Sequence, residues 1–188
     1  MGNNYRYFSS VKDFIAALRA EFKENGIKGV TVSGESCGGR SIRVKFTPKE
    51  EDFTPLPEYL AKMREPLDFM QFSHIEHHGK RITSTEAYNL PAEERYALYD
   101  KLCTERYNLV YEVDKYGIDI DVAVSDDWRV KHWLFKNIFA PQFVEKMQLV
   151  QRILDSYNYD QSDVMTDYFD RGFYDSLRIM PRKQPKTA

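Results

Sequence analysis

This chain of 188 residues is short of cysteine, of long apolar runs and of any excess of one charge. Its two cysteines, Cys37 and Cys103, are too few and too far apart for a disulfide framework, and they read as reduced thiols of a cytoplasmic protein. No apolar stretch approaches the roughly 20 residues that a membrane-crossing helix needs, so no membrane partner is expected. Behind Met1-Gly2-Asn3-Asn4-Tyr5-Arg6 there is no hydrophobic segment of the kind a secretion signal uses. Nor is there a Ser or Thr where a myristoylation signal requires one. With 27 Lys+Arg against 29 Asp+Glu, the chain does not coat nucleic acid by bulk charge. Catalytic signatures are also missing. Gly34 to Gly39 lacks the Lys-Ser/Thr ending and the following helix of a phosphate-binding loop. No Ser, Cys or His sits in a nucleophile context. The expectation is a protein without cofactor and without a reaction of its own.

What is present is a core. Hydrophobic residues make up 42% and aromatics 14%, which excludes a disordered chain. Val11, Phe14, Ile15, Leu18 and Phe22 form one apolar stripe, and the spacing predicts a helix over Val11–Glu24. Ser10 stands as its N-cap and Asn25-Gly26 as its stop. Val30 and Val32, then Ile42, Val44 and Phe46, alternate with polar residues as two strands joined by a loop at Cys37-Gly38-Gly39-Arg40. Prolines 48, 55, 57 and 66 and the acidic run Glu50-Glu51-Asp52 mark a change of texture around a short helix near Glu58–Arg64. A hairpin is read between Gln71 and Tyr88 with its tip at Gly79-Lys80. After Pro91 comes a long helix buried through Tyr96, Tyr99, Leu102, Cys103, Leu109, Val110 and Val113. A short strand at Ile118–Val124 follows, then a helix carrying Val130, Trp133, Leu134 and Ile138. Next comes a helix from Pro141 to about Ser156, and a last strand covers Phe173 to Ile179. The fold class is α+β. A small antiparallel sheet with helices packed on one face is formed by residues 8–47 and 141–180. Residues 48–140 are a mainly helical insertion, and 181–188 a disordered tail, all within a single domain spanning 1–188.

Three constellations carry possible chemistry. The first is Tyr157 to Asp175, which holds five aspartates, one arginine and six aromatic rings, a net charge of −4. Its residues Asp160, Asp163, Asp167, Tyr168, Phe169 and Asp170 are the candidate surface for a basic protein partner. Their spacing does not match a calcium-binding loop. The second is His74, His77 and His78, with Cys37, Cys103 and His132 elsewhere. Without paired Cys/His spacings they read as exposed hairpin histidines, and no metal site is assigned. In a strand, His74, Glu76 and His78 would share a face and His77 would point away. The third is a sheet face. If the apolar side of the strands packs on the helices, the opposite side presents Thr31, Ser33, Arg43, Lys45, Tyr174, Ser176 and Arg178. Of these, Arg43, Lys45 and Arg178 are the candidate nucleic-acid contacts, with Asp175 beside them weakening the attraction. Residues 1–47 carry eight basic groups against four acidic, a local excess that the near-neutral total conceals.

The run Tyr157-Asn-Tyr-Asp-Gln-Ser-Asp-Val-Met-Thr-Asp-Tyr-Phe-Asp-Arg-Gly-Phe-Tyr174 resembles the C-terminal signature of the large polyvalent protein-associated domain 29 family. The strand Gly39-Arg40-Ser41-Ile42-Arg43-Val44-Lys45-Phe46, preceded by an amphipathic helix, is similar to that family's N-terminal half. The resemblance covers roughly residues 8–47 and 141–180. It implies an origin in a bacteriophage, plasmid or conjugative transposon, and a role against host defence. It implies no reaction. The expected function is therefore that of a non-enzymatic accessory protein with a host or element-encoded protein partner. A nucleic-acid-binding protein is the first alternative, and a metal-dependent enzyme the second.

Overall fold

The computed structural model describes residues 10–35, 41–120, 137–157 and 174–182. Helix α1 (Val11–Glu24) starts where Ser10 caps it, the hydroxyl accepting from the Asp13 N–H at 3.1 Å. Its stripe Phe14, Leu18 and Phe22 is buried. Strands β1 (Val30–Glu35) and β2 (Ser41–Phe46) pair antiparallel, Val32 opposite Val44. At Gly34 the chain runs against α1. A Cβ there would lie 2.7 Å from the Val11 side chain and 3.0 Å from that of Ile15, so only glycine lets helix and strand approach this closely.

After β2 the chain leaves the sheet. A 3₁₀ turn at Glu50–Asp52 leads to α2 (Leu56–Arg64), and a second at Phe69–Gln71 to the hairpin β3 (Ile75–His77) and β4 (Lys80–Ile82). The short helix α3 (Ser84–Tyr88) is closed by a reciprocal cap between Thr83 and Glu86. The capping N–H of Thr83 holds the Glu86 carboxyl below its ordinary range. Helix α4 (Ala92–Tyr111) follows. It differs from the sequence reading in its buried face: Leu98 and Tyr107 are buried, while Tyr96 and Leu109 are exposed.

Strand β5 (Ile118–Ile120) returns to the sheet, α5 (Pro141–Tyr157) packs against it, and β6 (Tyr174–Ile179) completes it. The sheet order is β1-β2-β6-β5. The architecture is α+β, with one correction: the sheet is mixed, because β2 and β6 run parallel while the other pairs are antiparallel. Parallel neighbours need a long crossover, and the whole stretch between β2 and β6 supplies it. Ile42, Val44, Phe46, Leu177 and Ile179 face α1 and α5, whose Phe143, Met147, Val150 and Leu154 close the layer. Pro181 and Arg182 are placed rather than loose. Arg182 pairs with Glu50 and lies 4.2 Å over the Tyr111 ring. The rest of the expected tail, and the expected helix carrying Val130, Trp133, Leu134 and Ile138 up to residue 136, lie outside the described residues; residues 137 and 138 are helical and Ile138 is buried.

The region between β2 and β5 is joined to the sheet layer by aromatic rings in sequence. Phe46 meets Phe143 at 6.1 Å, Phe143 meets Phe139 at 4.8 Å, and Phe139 meets Phe53 at 5.0 Å. Phe53 then touches Tyr111 at 5.0 Å and Tyr107 at 6.5 Å. A backbone bridge pairs Phe53 with Phe139. Thr54 N–H donates to Ile138 C=O and Ala140 N–H to Asp52 C=O.

Candidate functional site

Strand register decides which side chains share a face, and it places the candidate nucleic-acid contacts together. One row across the sheet is Thr31, Lys45, Arg178 and Asp119, and the next is Ser33, Arg43 and Ser176. The row between them, Val32-Val44-Leu177, and the flanking row Val30-Phe46-Ile179 point to the helices. Arg43, Lys45 and Arg178 therefore lie on the side away from α1 and α5, in two rows about 7 Å apart. Arg43 is exposed, and Lys45 and Arg178 are half-buried.

Asp175 does not join this face. It pairs in register with Ile42, in the row that also holds Gly34 and faces α1. There the Gln151 amide donates to Asp175 Oδ2 at 3.4 Å and to Asp155 Oδ1 at 2.9 Å. The strand parity of Asp175 differs from that of Arg43, yet both residues line one cavity at this end of the sheet. It has a volume of about 190 Å³ and is lined by Ser33, Ser41, Arg43, Asp175 and Ser176 among others.

The acidic candidates Asp160, Asp163, Asp167, Tyr168, Phe169 and Asp170 lie outside the described residues. Their segment departs from a fixed point. The Tyr157 ring packs 5.8 Å from Phe14, and its hydroxyl donates to Glu21 Oε2 at 2.8 Å.

The Cys103 thiol is sealed. Cys103 is fully buried in α4, and burial pushes its thiol up to about 12, so it stays protonated and neither attacks nor ligates. Burial likewise raises Tyr99 and Tyr107 to about 12. Around them runs a structural network. Arg106 donates to the Gln71 side chain and backbone at 2.8 Å each, and sits 4.2 Å over Phe72. The Tyr99 hydroxyl accepts from Asp68 N–H and from the Gln71 amide.

The histidines do lie on the hairpin, but their arrangement differs from the parity expectation. His77 and His78 come together, with ring centroids 4.1 Å apart, and Glu94 from the first turn of α4 joins them. His74 does lie beside Glu76, at 3.9 Å, as that parity expects, so the departure is His78's alone. Sequence reasoning missed Glu94 because nothing local links it to the hairpin. Cys37 and His132 are outside the described residues. No helix among the described residues is long and apolar enough to cross a membrane. No family model, curated protein or solved structure matches the chain.

Proposed function

We propose that this chain is a non-enzymatic accessory protein of a mobile genetic element that binds single-stranded nucleic acid on the sheet face away from α1 and α5. The observation that carries the reading is the register that sets Arg43, Lys45 and Arg178 side by side on two central strands. Thr31, Ser33, Ser41 and Ser176 surround them with hydroxyls that donate to phosphate oxygens. Three cations are few, which matches the near-neutral total charge and implies a modest, salt-sensitive affinity. The mobile-element origin comes from the resemblance to the polyvalent protein-associated family at residues 8–47 and 141–180.

The test is fluorescence polarisation of a labelled single-stranded oligonucleotide at low salt, with the wild type and an Arg43→Ala, Lys45→Ala, Arg178→Ala variant. Saturable binding that falls at least about tenfold in the variant is expected, since each lost phosphate contact removes a share of the electrostatic affinity. Equal binding by both proteins, or none by either, removes the reading.

A second reading is favoured by the net charge of −4 and six rings of Tyr157–Asp175. In it, Asp160, Asp163, Asp167 and Asp170 mimic phosphates toward a basic protein of the host or the element, with Tyr168 and Phe169 as apolar anchors. Replacing the four aspartates by Asn would abolish recovery of such a partner from host lysate. Unchanged recovery would count against it.

A further inference from the structure

We propose that His77, His78 and Glu94 form a binding site for a divalent transition-metal ion, with zinc the ion that this donor set suits. Neighbouring residues of a strand point to opposite faces, so two adjacent histidines would ordinarily diverge. Here they converge because His78 has φ +50° and Gly79 φ +74°, the two central positions of a tight hairpin turn. That backbone turns the His78 ring back beside His77, the two rings tilted by 51°. Such a turn requires the left-handed region at both central positions, and histidine is one of the few residues besides Gly and Asn that enter it readily.

The third donor comes from another element. Glu94 Oε2 lies 3.7 Å from His77 Nε2, and one ligand atom from each of the three residues falls within 4.8 Å of the others. Donor atoms around a tetrahedral zinc at 2.0–2.1 Å stand about 3.3–3.5 Å apart. Closing onto the ion thus takes a shift of about 1 Å. The half-buried His77 is the fixed ligand, and the exposed His78 and Glu94 side chains make that adjustment. Two imidazole nitrogens and one carboxylate oxygen suit zinc and its neighbours, whereas calcium and magnesium want all-oxygen sets. Three protein ligands leave the fourth position to water. No other group of three His, Cys, Asp or Glu donors gathers this closely among the described residues. The ion would fasten the β3–β4 hairpin to the start of α4, and the inference stands apart from the sheet face.

The full chain titrated with zinc chloride by calorimetry, and melted with and without zinc, tests this. One zinc per chain and a zinc-dependent rise in Tm are expected. His78→Asn keeps a residue at home in the left-handed turn, and Glu94→Gln keeps the helix start. Each is expected to weaken zinc at least about tenfold and to erase the zinc-dependent rise, with the metal-free Tm unchanged or higher. No saturable binding by the wild type at about 100 µM zinc would overturn the proposal. So would full-strength binding retained in either variant, which would put the ion elsewhere.

Discussion

In the sheet layer the side chains that meet at the centre are aliphatic or phenylalanine: Leu18, Ile42, Val44, Leu154, Leu177 and Ile179, with Phe46 and Phe143. In the region between β2 and β5 the largest buried side chains are Tyr59, Tyr99 and Phe69, with Met63 and Tyr107 beside them. The first core closes chiefly by apolar area, which is non-directional, with Tyr157 and Gln151 as its hydrogen-bonded polar members. The second buries hydroxyls and pairs those of Tyr107 and Tyr99. Tyr107 donates to Thr54 C=O at 2.8 Å, and Tyr99 serves Asp68 and Gln71. An apolar layer is specified by the shapes and volumes of its side chains. A tyrosine-rich one is specified by its hydrogen bonds, and it loses more when one is broken.

The strongest way to break the comparison is at the joint. Phe139 is buried between Phe53 and Phe143, so Phe139→Ala is expected to cost about 3–5 kcal/mol. It should also turn one cooperative thermal transition into two, as seen by calorimetry. A single unshifted transition would show that the ring contacts do not couple the regions.

Alkali separates the regions next. The Cys103 thiol is raised from 9.0 to about 12 by burial, so the folded chain keeps a proton that the unfolded chain releases. The stabilising contribution is whole below about pH 9 and is lost as pH rises towards 12, on the order of a few kcal/mol. Denaturant midpoints measured from pH 8 to 11 should fall, and Cys103→Ala should flatten that fall. The sheet layer has no counterpart to Cys103 among the described residues.

Two hydroxyl deletions sharpen the contrast within one core. Tyr107→Phe leaves the Thr54 carbonyl without its donor and is expected to cost about 1–2 kcal/mol. The buried Tyr59 hydroxyl has no hydrogen-bond partner among the described residues. Tyr59→Phe is therefore expected to be neutral or stabilising by up to about 1 kcal/mol. Urea unfolding of both variants measures the opposite signs. On the sheet side, Ser10→Ala removes one cap, and a loss of about 1 kcal/mol is expected, seen as a lowered urea midpoint.

The two regions also differ in how far they could be read in advance. In α1 and α5, apolar residues recur at helical spacing and the caps are local, so burial followed from the chain itself. In β1, β2 and β6, alternation gave the faces but not the neighbours. Whether β6 lies parallel to β2 depends on the crossover, which alternation does not encode. Helix α4 misled because tyrosines surround it. Tyr96 is exposed and Tyr107 buried, and only the partner, Thr54, decides which. The parity argument for His78 assumed an extended backbone, and one left-handed residue reversed it.

The central claim is that Arg43, Lys45 and Arg178 together engage phosphates, and the salt dependence of oligonucleotide binding tests it most directly. For three phosphates neutralised on a single strand, the slope of log K against log salt is expected to be about −2, roughly a 20-fold loss between 50 and 200 mM. It should approach −1.4 when Lys45→Ala removes one contact, by the same ~0.7 per phosphate. A slope near zero, or one that Lys45→Ala leaves unchanged, would contradict the account.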